Sequence, residues 1–383
     1  MPPISVLIKP ASSRCNMKCA YCFYHDVANR RSVTDYGLMS RETIEVIIRK
    51  VLQFASGQAT FSFQGGEPTL CGLDFFRLVV ALQKRLNVNN VIISNCLQTN
   101  GILLNSDWAE FLREHHFLVG LSLDGPQGLH DRYRVDAGGE GTHKKVARVA
   151  ALLDKYGVDY NILFVVTEAT ARSPDEVYDY FRERGFRFLQ FMPCLDPAGD
   201  RRGTREYSLS PKSYTLFLKR FFDRWYKDFT GGRDVSIRYF DNLVWAVMGI
   251  RPEMCSLLGA CGCQFVFEAD GSVYPCDFYV TDEWRLGNVY ESELLRLSQN
   301  EVCTRFIESS RLAAPACRSC KWGFLCRGGC RRDREGPDAR TPGQNYYCAS
   351  YYEFLSYAYP RIVETARYIK KDLLRRANLA RKI

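Results

Sequence analysis

Three cysteines near the start of the chain have a spacing that suits redox chemistry. Cys15, Cys19 and Cys22 form a C-x3-C-x2-C run, with Tyr21 directly before the last cysteine. Three thiolates on one short loop can bind three irons of a cubane cluster, and because no fourth cysteine follows at a comparable spacing, the fourth iron stays open to another ligand. The alternative is a zinc site that His25 completes, although zinc ligands usually come as two pairs or as Cys and His sets with their own spacing.

A second group of nine cysteines occupies the C-terminal third of the chain. Two complete cubanes need eight thiolates, and the spacing does not decide whether Cys261 or Cys263 is the eighth ligand. Two zinc ribbons are the alternative, but a single C-x2-C pair is unlike the paired knuckles of a zinc site. The nine are Cys255, Cys261, Cys263, Cys276, Cys317, Cys320, Cys326, Cys330 and Cys348. The other four, which lack ligand spacing and are expected to be small buried side chains, are Cys71, Cys96, Cys194 and Cys303.

A carboxylate directly follows one of these cysteines. Asp277 comes after Cys276 in a Tyr-Pro-Cys-Asp turn, where a fixed carboxylate is well placed to accept a proton near a reacting carbon. An equally good interpretation of the sequence is that Asp277 accepts a hydrogen bond from a backbone N–H of the turn.

Six short β-rich runs alternate with helical patterns between residues 5 and 194, which predicts a parallel sheet with helices outside, curled into a partial barrel. The amphipathic stripes include residues 44–52 after the N-cap Ser40, residues 75–82 and residues 146–153. The aromatic stripe of residues 217–226 is expected to be packing core. The predicted strands are Ser5–Ser12, Thr60–Gln64, Val91–Ser94, Leu118–Leu123, Asp159–Val166 and Phe188–Met192.

Chemistry in such a barrel lies at the carboxyl ends of its strands, where the first strand delivers the cysteine loop. Gly65 and Gly66, in a Gln-Gly-Gly-Glu-Pro run after the second strand, let the backbone approach a ligand closely, although a simple tight turn would also explain them. After the fourth strand, Ser122 and Asp124 supply a hydroxyl and a carboxylate, and Arg134 follows in a polar loop.

Composition limits the classes of protein that fit. The chain has 383 residues, 46% hydrophobic and 25% charged, which is typical of a globular protein. It has no basic segment leading into an apolar core at its start and no apolar run of about eighteen residues, so we expect a cytoplasmic protein with no membrane contact. The chain has sixteen cysteines, of which twelve have metal-ligand spacings, and this indicates a reducing compartment. No heptad pattern argues for assembly, so we expect a monomer.

The cysteine loop and the Gly-Gly-Glu-Pro run resemble the radical S-adenosylmethionine (SAM) enzymes. That resemblance implies that SAM chelates the open iron and is split to a radical that removes hydrogen from an unactivated carbon. It also implies that SAM is bound by Tyr21, Gly65, Gly66, Glu67, Ser122, Arg134 and Leu195. With eleven cysteines as thiolates on three [4Fe-4S] clusters, the formal charge of +9 falls to about +4, which is a weak argument for nucleic-acid binding.

The second cysteine group resembles the SPASM extension of radical SAM enzymes that modify peptides and proteins. The resemblance implies a radical SAM partial (β/α)6 barrel over residues 1–235, and a SPASM domain with two auxiliary clusters and a C-terminal helix over residues 236–383. Its ligand pattern implies that the first auxiliary cluster is held by Cys255, Cys261, Cys276 and Cys330. The second would be held by Cys317, Cys320, Cys326 and Cys348.

Several longer runs resemble the anaerobic sulfatase-maturating enzymes. This implies oxidation of a Cys or Ser side chain, in a C/S-x-P-x-R type segment of a sulfatase, to formylglycine, with Asp277 taking the thiol or hydroxyl proton and an electron donor such as flavodoxin or ferredoxin. The alternative is a SPASM enzyme that modifies a ribosomal peptide, but only fourteen residues precede Cys15, too few for the docking extension that such enzymes often carry. The runs are residues 8–13, 98–101, 236–241, 270–279 and 284–288.

Overall fold

Ten β-strands and fifteen α-helices are formed by the residues that the structure, a computed structural model, describes: 3–311, 314–335 and 343–380, with side chains as far as residue 375. The strands are β1 (Ile4–Ile8), β2 (Gln58–Phe63), β3 (Ile92–Thr99), β4 (Leu118–Ser122), β5 (Tyr160–Val166), β6 (Phe188–Pro193), β7 (Ser236–Ile237), β8 (Val266–Phe267), β9 (Ser272–Tyr274) and β10 (Gly287–Asn288). The helices are α1 (Phe23–Ala28), α2 (Arg41–Phe54), α3 (Leu73–Leu86), α4 (Ser106–Glu114), α5 (Gln127–His130), α6 (His143–Tyr156), α7 (Glu168–Arg172), α8 (Pro174–Glu183), α9 (Pro211–Thr230), α10 (Arg238–Val247), α11 (Leu294–Ser298), α12 (Glu301–Ser310), α13 (Pro315–Arg318), α14 (Gly323–Cys326) and α15 (Cys348–Ala380).

The chain divides into two units by its internal contacts. The first comprises Met1–Phe164, Leu195–Asp200 and Gly262–Ile307, and the second comprises Val165–Cys194, Arg201–Cys261 and Glu308–Ile383. The domain boundary between residues 235 and 236 stays a prediction from the sequence.

The sheet of the first unit has the strand order β10-β9-β8-β1-β2-β3-β4-β5. Strands β1 to β5 are parallel, with Ile8 of β1 opposite Phe63 of β2, and β8 adds a further parallel strand beside β1. Strands β9 and β10 run antiparallel, and in the second unit β6 pairs with β7 in parallel. All six predicted strands are therefore present as β1 to β6. Strands β7 to β10 have two or three residues each, too few to give a periodic pattern.

The helices of the first unit bury one apolar face each. On α2, the Ser40 hydroxyl accepts a hydrogen bond of 3.1 Å from the N–H of Thr43, which confirms the predicted N-cap, and the predicted stripe is buried. The stripe of α6 is also confirmed. On α3 the buried face is Phe76, Val79, Leu82 and Gln83, so Phe75 and Leu78 were wrongly assigned to it.

In the second unit the aromatic stripe of α9 is core, as predicted. Ser210 caps the helix, its hydroxyl accepting from the N–H of Ser213 at 3.2 Å. Phe222 packs against Phe354 of α15 with ring centroids 5.6 Å apart, and Phe217 packs against Phe191 of β6 at 5.2 Å. Among the residues described, no helix has the combined length and apolar character that crossing a bilayer requires.

Candidate active site

The loop with the first three cysteines follows β1 and is braced by the segment around Arg134. The N–H of Lys18 donates to the carbonyl of Val135 at 2.8 Å, and the N–H of Ala20 donates to the carbonyl of Tyr133 at 3.0 Å. These two backbone hydrogen bonds fix the conformation of the loop between the cysteines.

The three thiols form a donor set that fits a cationic iron centre. Burial, with a smaller contribution from the charges of neighbouring cysteines, raises the pKa of Cys15 to about 12 and that of Cys19 to about 11. Bound iron would offset both effects, because it stabilises thiolates. His25, the fourth ligand of the zinc alternative, is exposed on α1. Within the described ranges, no three His, Cys, Asp or Glu side chains lie close enough together to bind a single metal ion. A cubane does not require such a group, because each cysteine binds a different iron of the cluster.

A buried ion pair lies beside this loop. The Arg134 Nε donates to Asp124 Oδ2 at 2.9 Å, and the same oxygen accepts a hydrogen bond from the Tyr21 hydroxyl. The Arg134 guanidinium also hydrogen-bonds Cys19, and its charge partly offsets the effect of burial on the pKa of that thiol. Three predicted site residues, Tyr21, Arg134 and Cys19, therefore lie in one cluster.

The Gly-Gly-Glu-Pro run approaches the cysteine loop through its backbone. Gly65 and Gly66 have φ angles of +93° and +53°. A Cβ on Gly65 would come within 2.5 Å of Lys9 Cε, and a Cβ on Gly66 would collide with the carbonyl oxygen of Arg14. Both positions therefore require glycine, and the close approach expected from the sequence is present.

Glu67 is buried, and both oxygens of its carboxylate accept hydrogen bonds from the protein. Oε1 accepts from the Thr69 N–H at 3.1 Å, the Thr69 hydroxyl at 2.6 Å and the Thr99 hydroxyl at 2.7 Å. Oε2 accepts from the Asn100 N–H at 2.8 Å. Burial raises the pKa of Glu67, and these hydrogen bonds work against that shift. The side chain ties the loops after β2 and β3 together.

The other two predicted SAM contacts also lie in the first unit. Ser122 ends β4, and its hydroxyl accepts from Gln98 Nε2 at 3.0 Å. Leu195 is half-buried and begins the short segment Leu195–Asp200. That segment is tied to α1, because the N–H of Ala198 donates to Asp26 Oδ2 at 2.8 Å.

Asp277 is buried and points into a polar cluster instead of capping its own turn. The Tyr24 hydroxyl donates to Asp277 Oδ2 at 2.6 Å, and Gln64 Nε2 donates to Tyr24 at 2.6 Å and to Asp277 Oδ2 at 3.3 Å. Oδ1 is buried without a hydrogen-bond partner among the described residues. Burial raises the pKa of Asp277, while the charge of Lys9 and the Tyr24 hydrogen bond favour the carboxylate. The sequence signals Asp277 but does not single out Tyr24 or Gln64 as its partners.

Lys9 is held in this cluster by a second buried carboxylate. Its Nζ lies 3.1 Å from Glu268 Oε1 and 4.8 Å from the centroid of the Tyr24 ring. Arg31 Nη1 contacts the same oxygen of Glu268 at 2.5 Å. Burial alone would raise the pKa of Glu268, but the two cations outweigh it and hold that pKa below its usual value.

The four predicted ligands of the second auxiliary cluster lie together in the second unit. Cys317, Cys320, Cys326 and Cys348 line one cavity of about 270 Å³. Burial, together with the charges of the other three thiols, raises the pKa of Cys326 to about 11. Four thiols around one cavity are the donor set that a cubane requires.

Three predicted ligands of the first auxiliary cluster also share one environment in the second unit. Burial is the main cause that raises the pKa of Cys330, and the charges of Cys255 and Cys261 add to it. Cys276 lies in the first unit, directly before Asp277. Cys263 instead hydrogen-bonds Cys303 within the first unit, and this raises its pKa.

The four cysteines without ligand spacing differ in burial. Cys194 and Cys303 are buried, which confirms the prediction for these two. Cys71 and Cys96 are only half-buried, so the prediction is wrong for them.

Comparison with known proteins places these features in a family. The radical SAM superfamily model matches residues 10–188, and the SPASM model, an iron–sulfur cluster-binding domain, matches residues 259–321. A cysteine-type anaerobic sulfatase-maturating enzyme of Clostridium perfringens is 51% identical over 370 residues, which cover 97% of this chain and 100% of that one. A serine-type enzyme of Bacteroides thetaiotaomicron is 33% identical over 389 residues, covering 97% of this chain and 92% of that one.

A solved structure gives the same result at the level of the fold. The structure of native anSMEcpe with bound AdoMet and Cp18Cys peptide is 50% identical, has a TM-score of 0.93, and covers 96% of this chain and 100% of that one. This match confirms the predicted fold class, a radical SAM parallel α/β fold followed by a SPASM domain. The chain therefore belongs to the anaerobic sulfatase-maturating enzymes, a family of radical SAM enzymes with a SPASM domain.

Proposed function

We propose that this enzyme oxidises a cysteine or serine side chain, in a C/S-x-P-x-R type segment of a sulfatase, to formylglycine. The observation that carries the proposal is the buried carboxylate of Asp277, held next to Cys276 by Tyr24 and Gln64, in a chain of this family. Cysteine is the expected preferred target, since identity is 51% to a cysteine-type enzyme and 33% to a serine-type enzyme.

The cofactors are SAM and three [4Fe-4S] clusters. Cys15, Cys19 and Cys22 would hold the cluster that binds SAM, and the eight auxiliary ligands are the cysteines named from the SPASM resemblance, with Cys261 as the eighth. When bound, SAM and its cluster supply the oxidant that takes a hydrogen atom from the target carbon. The auxiliary clusters supply an acceptor for the second electron of the oxidation.

Asp277 acts as the general base for the target thiol or hydroxyl. Hydrogen bonds from Tyr24 and Gln64 engage Oδ2 and leave Oδ1 for the proton of the substrate. Burial raises the pKa of Asp277, and the positive charge of Lys9 works against that shift by favouring the ionised carboxylate that a base requires. Loss of two electrons and two protons converts a cysteine side chain into a thioaldehyde, which water converts into the aldehyde with release of sulfide.

SAM would be bound by the residues that the family pattern assigns. Arg134 is the group for its carboxylate, because Asp124 fixes the guanidinium by a 2.9 Å ion pair in a buried site. Tyr21, Ser122 and Leu195 would line the rest of the SAM site. Gly65 and Gly66 offer backbone contacts, and Glu67 holds the loop that carries them, since its oxygens are occupied by protein donors.

The remaining assignments follow from the same family pattern. We propose residues 1–235 as the radical SAM domain and 236–383 as the SPASM domain. The enzyme would work in the cytoplasm as a monomer, on an extended segment of a sulfatase before it folds, with flavodoxin or ferredoxin as electron donor.

The test is anaerobic incubation of the reconstituted enzyme with SAM, a chemical reductant and a peptide that contains C-x-P-x-R. Mass spectrometry should show the aldehyde together with 5'-deoxyadenosine. A peptide with S-x-P-x-R compares the two targets, and one with Ala at the target position is the control. Cleavage of SAM that yields a cross-linked peptide and no aldehyde would contradict sulfatase maturation and support the alternative, modification of a ribosomal peptide.

A further inference from the structure

The segment that carries Arg134 makes hydrogen bonds through consecutive carbonyl groups. The carbonyls of Tyr133 and Val135 accept from the N–H groups of Ala20 and Lys18 in the cysteine loop. The carbonyl of Arg134, between them, accepts a hydrogen bond of 3.0 Å from the hydroxyl of Thr142. Thr142 therefore holds the same short segment that braces the cysteine loop.

His130 connects this hydroxyl to the backbone of Asp124. Its Nδ1 accepts from the Asp124 N–H at 3.2 Å, and its Nε2 lies 3.0 Å from Thr142 Oγ1. The Thr142 hydroxyl donates its hydrogen bond to the Arg134 carbonyl, so Thr142 Oγ1 must be the acceptor in its contact with His130. This assigns the imidazole proton of His130 to Nε2, which is the donor. The result is one directional chain from the backbone of Asp124 through His130 and Thr142 to the backbone of Arg134.

We propose that His130 and Thr142 are positioning residues for SAM binding, because their hydrogen-bonded chain fixes the backbone at both members of the Asp124–Arg134 ion pair. The inference rests on the role proposed above for Arg134. The hydrogen bonds of both side chains go to the backbone of Asp124 and Arg134, so both residues act through the backbone that carries the ion pair.

The burial of the chain explains why it would matter. His130 and Thr142 have no exposed surface, so water cannot replace a lost partner. Burial also lowers the pKa of His130 to about 4, so the imidazole stays neutral at neutral pH with Nδ1 free to accept. Thr142 precedes α6 but its side chain makes no capping hydrogen bond to that helix, so its hydroxyl serves the chain alone.

Thr142→Val and Thr142→Ser form a matched pair for the test. Valine keeps the branched shape and removes the hydroxyl, while serine keeps the hydroxyl and removes the methyl group. The anaerobically reconstituted enzymes are compared by equilibrium dialysis with SAM alone, together with iron content and visible absorbance. We expect Thr142→Val to keep its iron and bind SAM roughly tenfold more weakly, the order expected when a buried hydrogen-bond partner is left unsatisfied. Thr142→Ser should bind SAM as the unchanged enzyme does.

A second variant keeps the test decisive if Thr142→Val does not fold. His130→Asn retains an acceptor for the Asp124 N–H but cannot reach Thr142, so it should also weaken SAM binding while it keeps its iron. Unchanged affinity in either variant would overturn the inference, as would equal losses in Thr142→Val and Thr142→Ser, which would indicate packing. The dialysis contains no peptide and is therefore independent of the activity assay. If the unchanged enzyme binds SAM in the dialysis but makes no formylglycine when the peptide is supplied, the proposed function is contradicted and this inference stands.

Discussion

The two carboxylates Glu268 and Glu45 offer a direct test of how burial sets the strength of an ion pair. Each contacts two cations: Glu268 contacts Lys9 and Arg31, with side chains 0%, 3% and 0% exposed. Glu45 contacts Arg49 and Arg85 through one oxygen at 3.0 and 3.1 Å, with side chains 35%, 45% and 62% exposed. The substitutions Glu268→Gln and Glu45→Gln remove one negative charge from each triad and preserve shape.

The expected losses of stability differ several-fold. Glu268→Gln removes the carboxylate that both buried cations contact, which costs about 3–5 kcal/mol. Glu45→Gln breaks pairs that water already screens and costs at most about 1 kcal/mol. For a unit of this size these values correspond to decreases in melting temperature of roughly 6–20 °C and below about 4 °C.

The dependence on pH follows from the sign of the shift. Because the pKa of Glu268 is held below its usual value in the folded protein, its contribution to stability is present above the unfolded pKa and is lost as pH falls through the folded pKa. The difference in stability between the Glu268→Gln variant and the unchanged enzyme should therefore be largest at neutral pH and should decrease as the pH falls into the acid range.

The measurement is thermal unfolding of the reconstituted enzymes under anaerobic conditions. All variants are heated at the same rate, because loss of the clusters makes unfolding irreversible and the midpoint then depends on the rate of heating. Equal iron content is the control for cluster loss. If the two variants melt within a degree or two of each other, the reasoning that links burial to the strength of these ion pairs is wrong.

Three further predictions concern the site itself. Asp277→Asn should abolish aldehyde formation while iron content and SAM binding persist, measured by mass spectrometry and dialysis, and full activity would rule out Asp277 as base. Tyr24→Phe removes a hydrogen bond that favours the ionised carboxylate, so the pKa of Asp277 should rise and the acidic limb of the kcat profile should move to higher pH. If the acidic limb of the kcat profile stays at the same pH, Tyr24 does not lower the pKa of Asp277. Cys261→Ser should lower the iron content and Cys263→Ser should not, and the reverse result would exchange their roles.

Periodic apolar spacing predicts the strands and most helix faces of this protein, but it fails where polar side chains are buried in pairs. On α3 the spacing favours Phe75 and Leu78 as buried residues, whereas the structure buries Gln83 instead. Gln83 and Asn95 exchange two amide hydrogen bonds, of 2.8 and 2.9 Å, which satisfy both side chains without water. A hydrophobic pattern contains no signal for such a pair, because its partners lie on different elements.

The proposed cluster ligands are easier to recognise in the sequence than the groups around Asp277 for a related reason. Cys317, Cys320 and Cys326 lie on one short stretch of chain, so their spacing alone indicates a common site, and the structure places them around one cavity. The partners of Asp277 come from far away in sequence, since Gln64 is 213 residues distant and Tyr24 is 253 residues distant. Only the fold brings them together, and their residue types alone do not distinguish them from ordinary polar residues.

Glu67 shows that the position of a motif can be predicted from the sequence while the partners of one member cannot. The family resemblance implies that Glu67 binds SAM, and in the structure its carboxylate accepts three protein hydrogen bonds at Oε1 and one at Oε2, which leaves acceptor capacity at Oε2. Its partners Thr99 and Asn100 lie at the end of β3 and directly after it, so Glu67 joins that end of the strand to the glycines after β2. These hydrogen bonds hold the loop that carries the two glycines, and in the proposed SAM site this would make Glu67 a residue that positions Gly65 and Gly66.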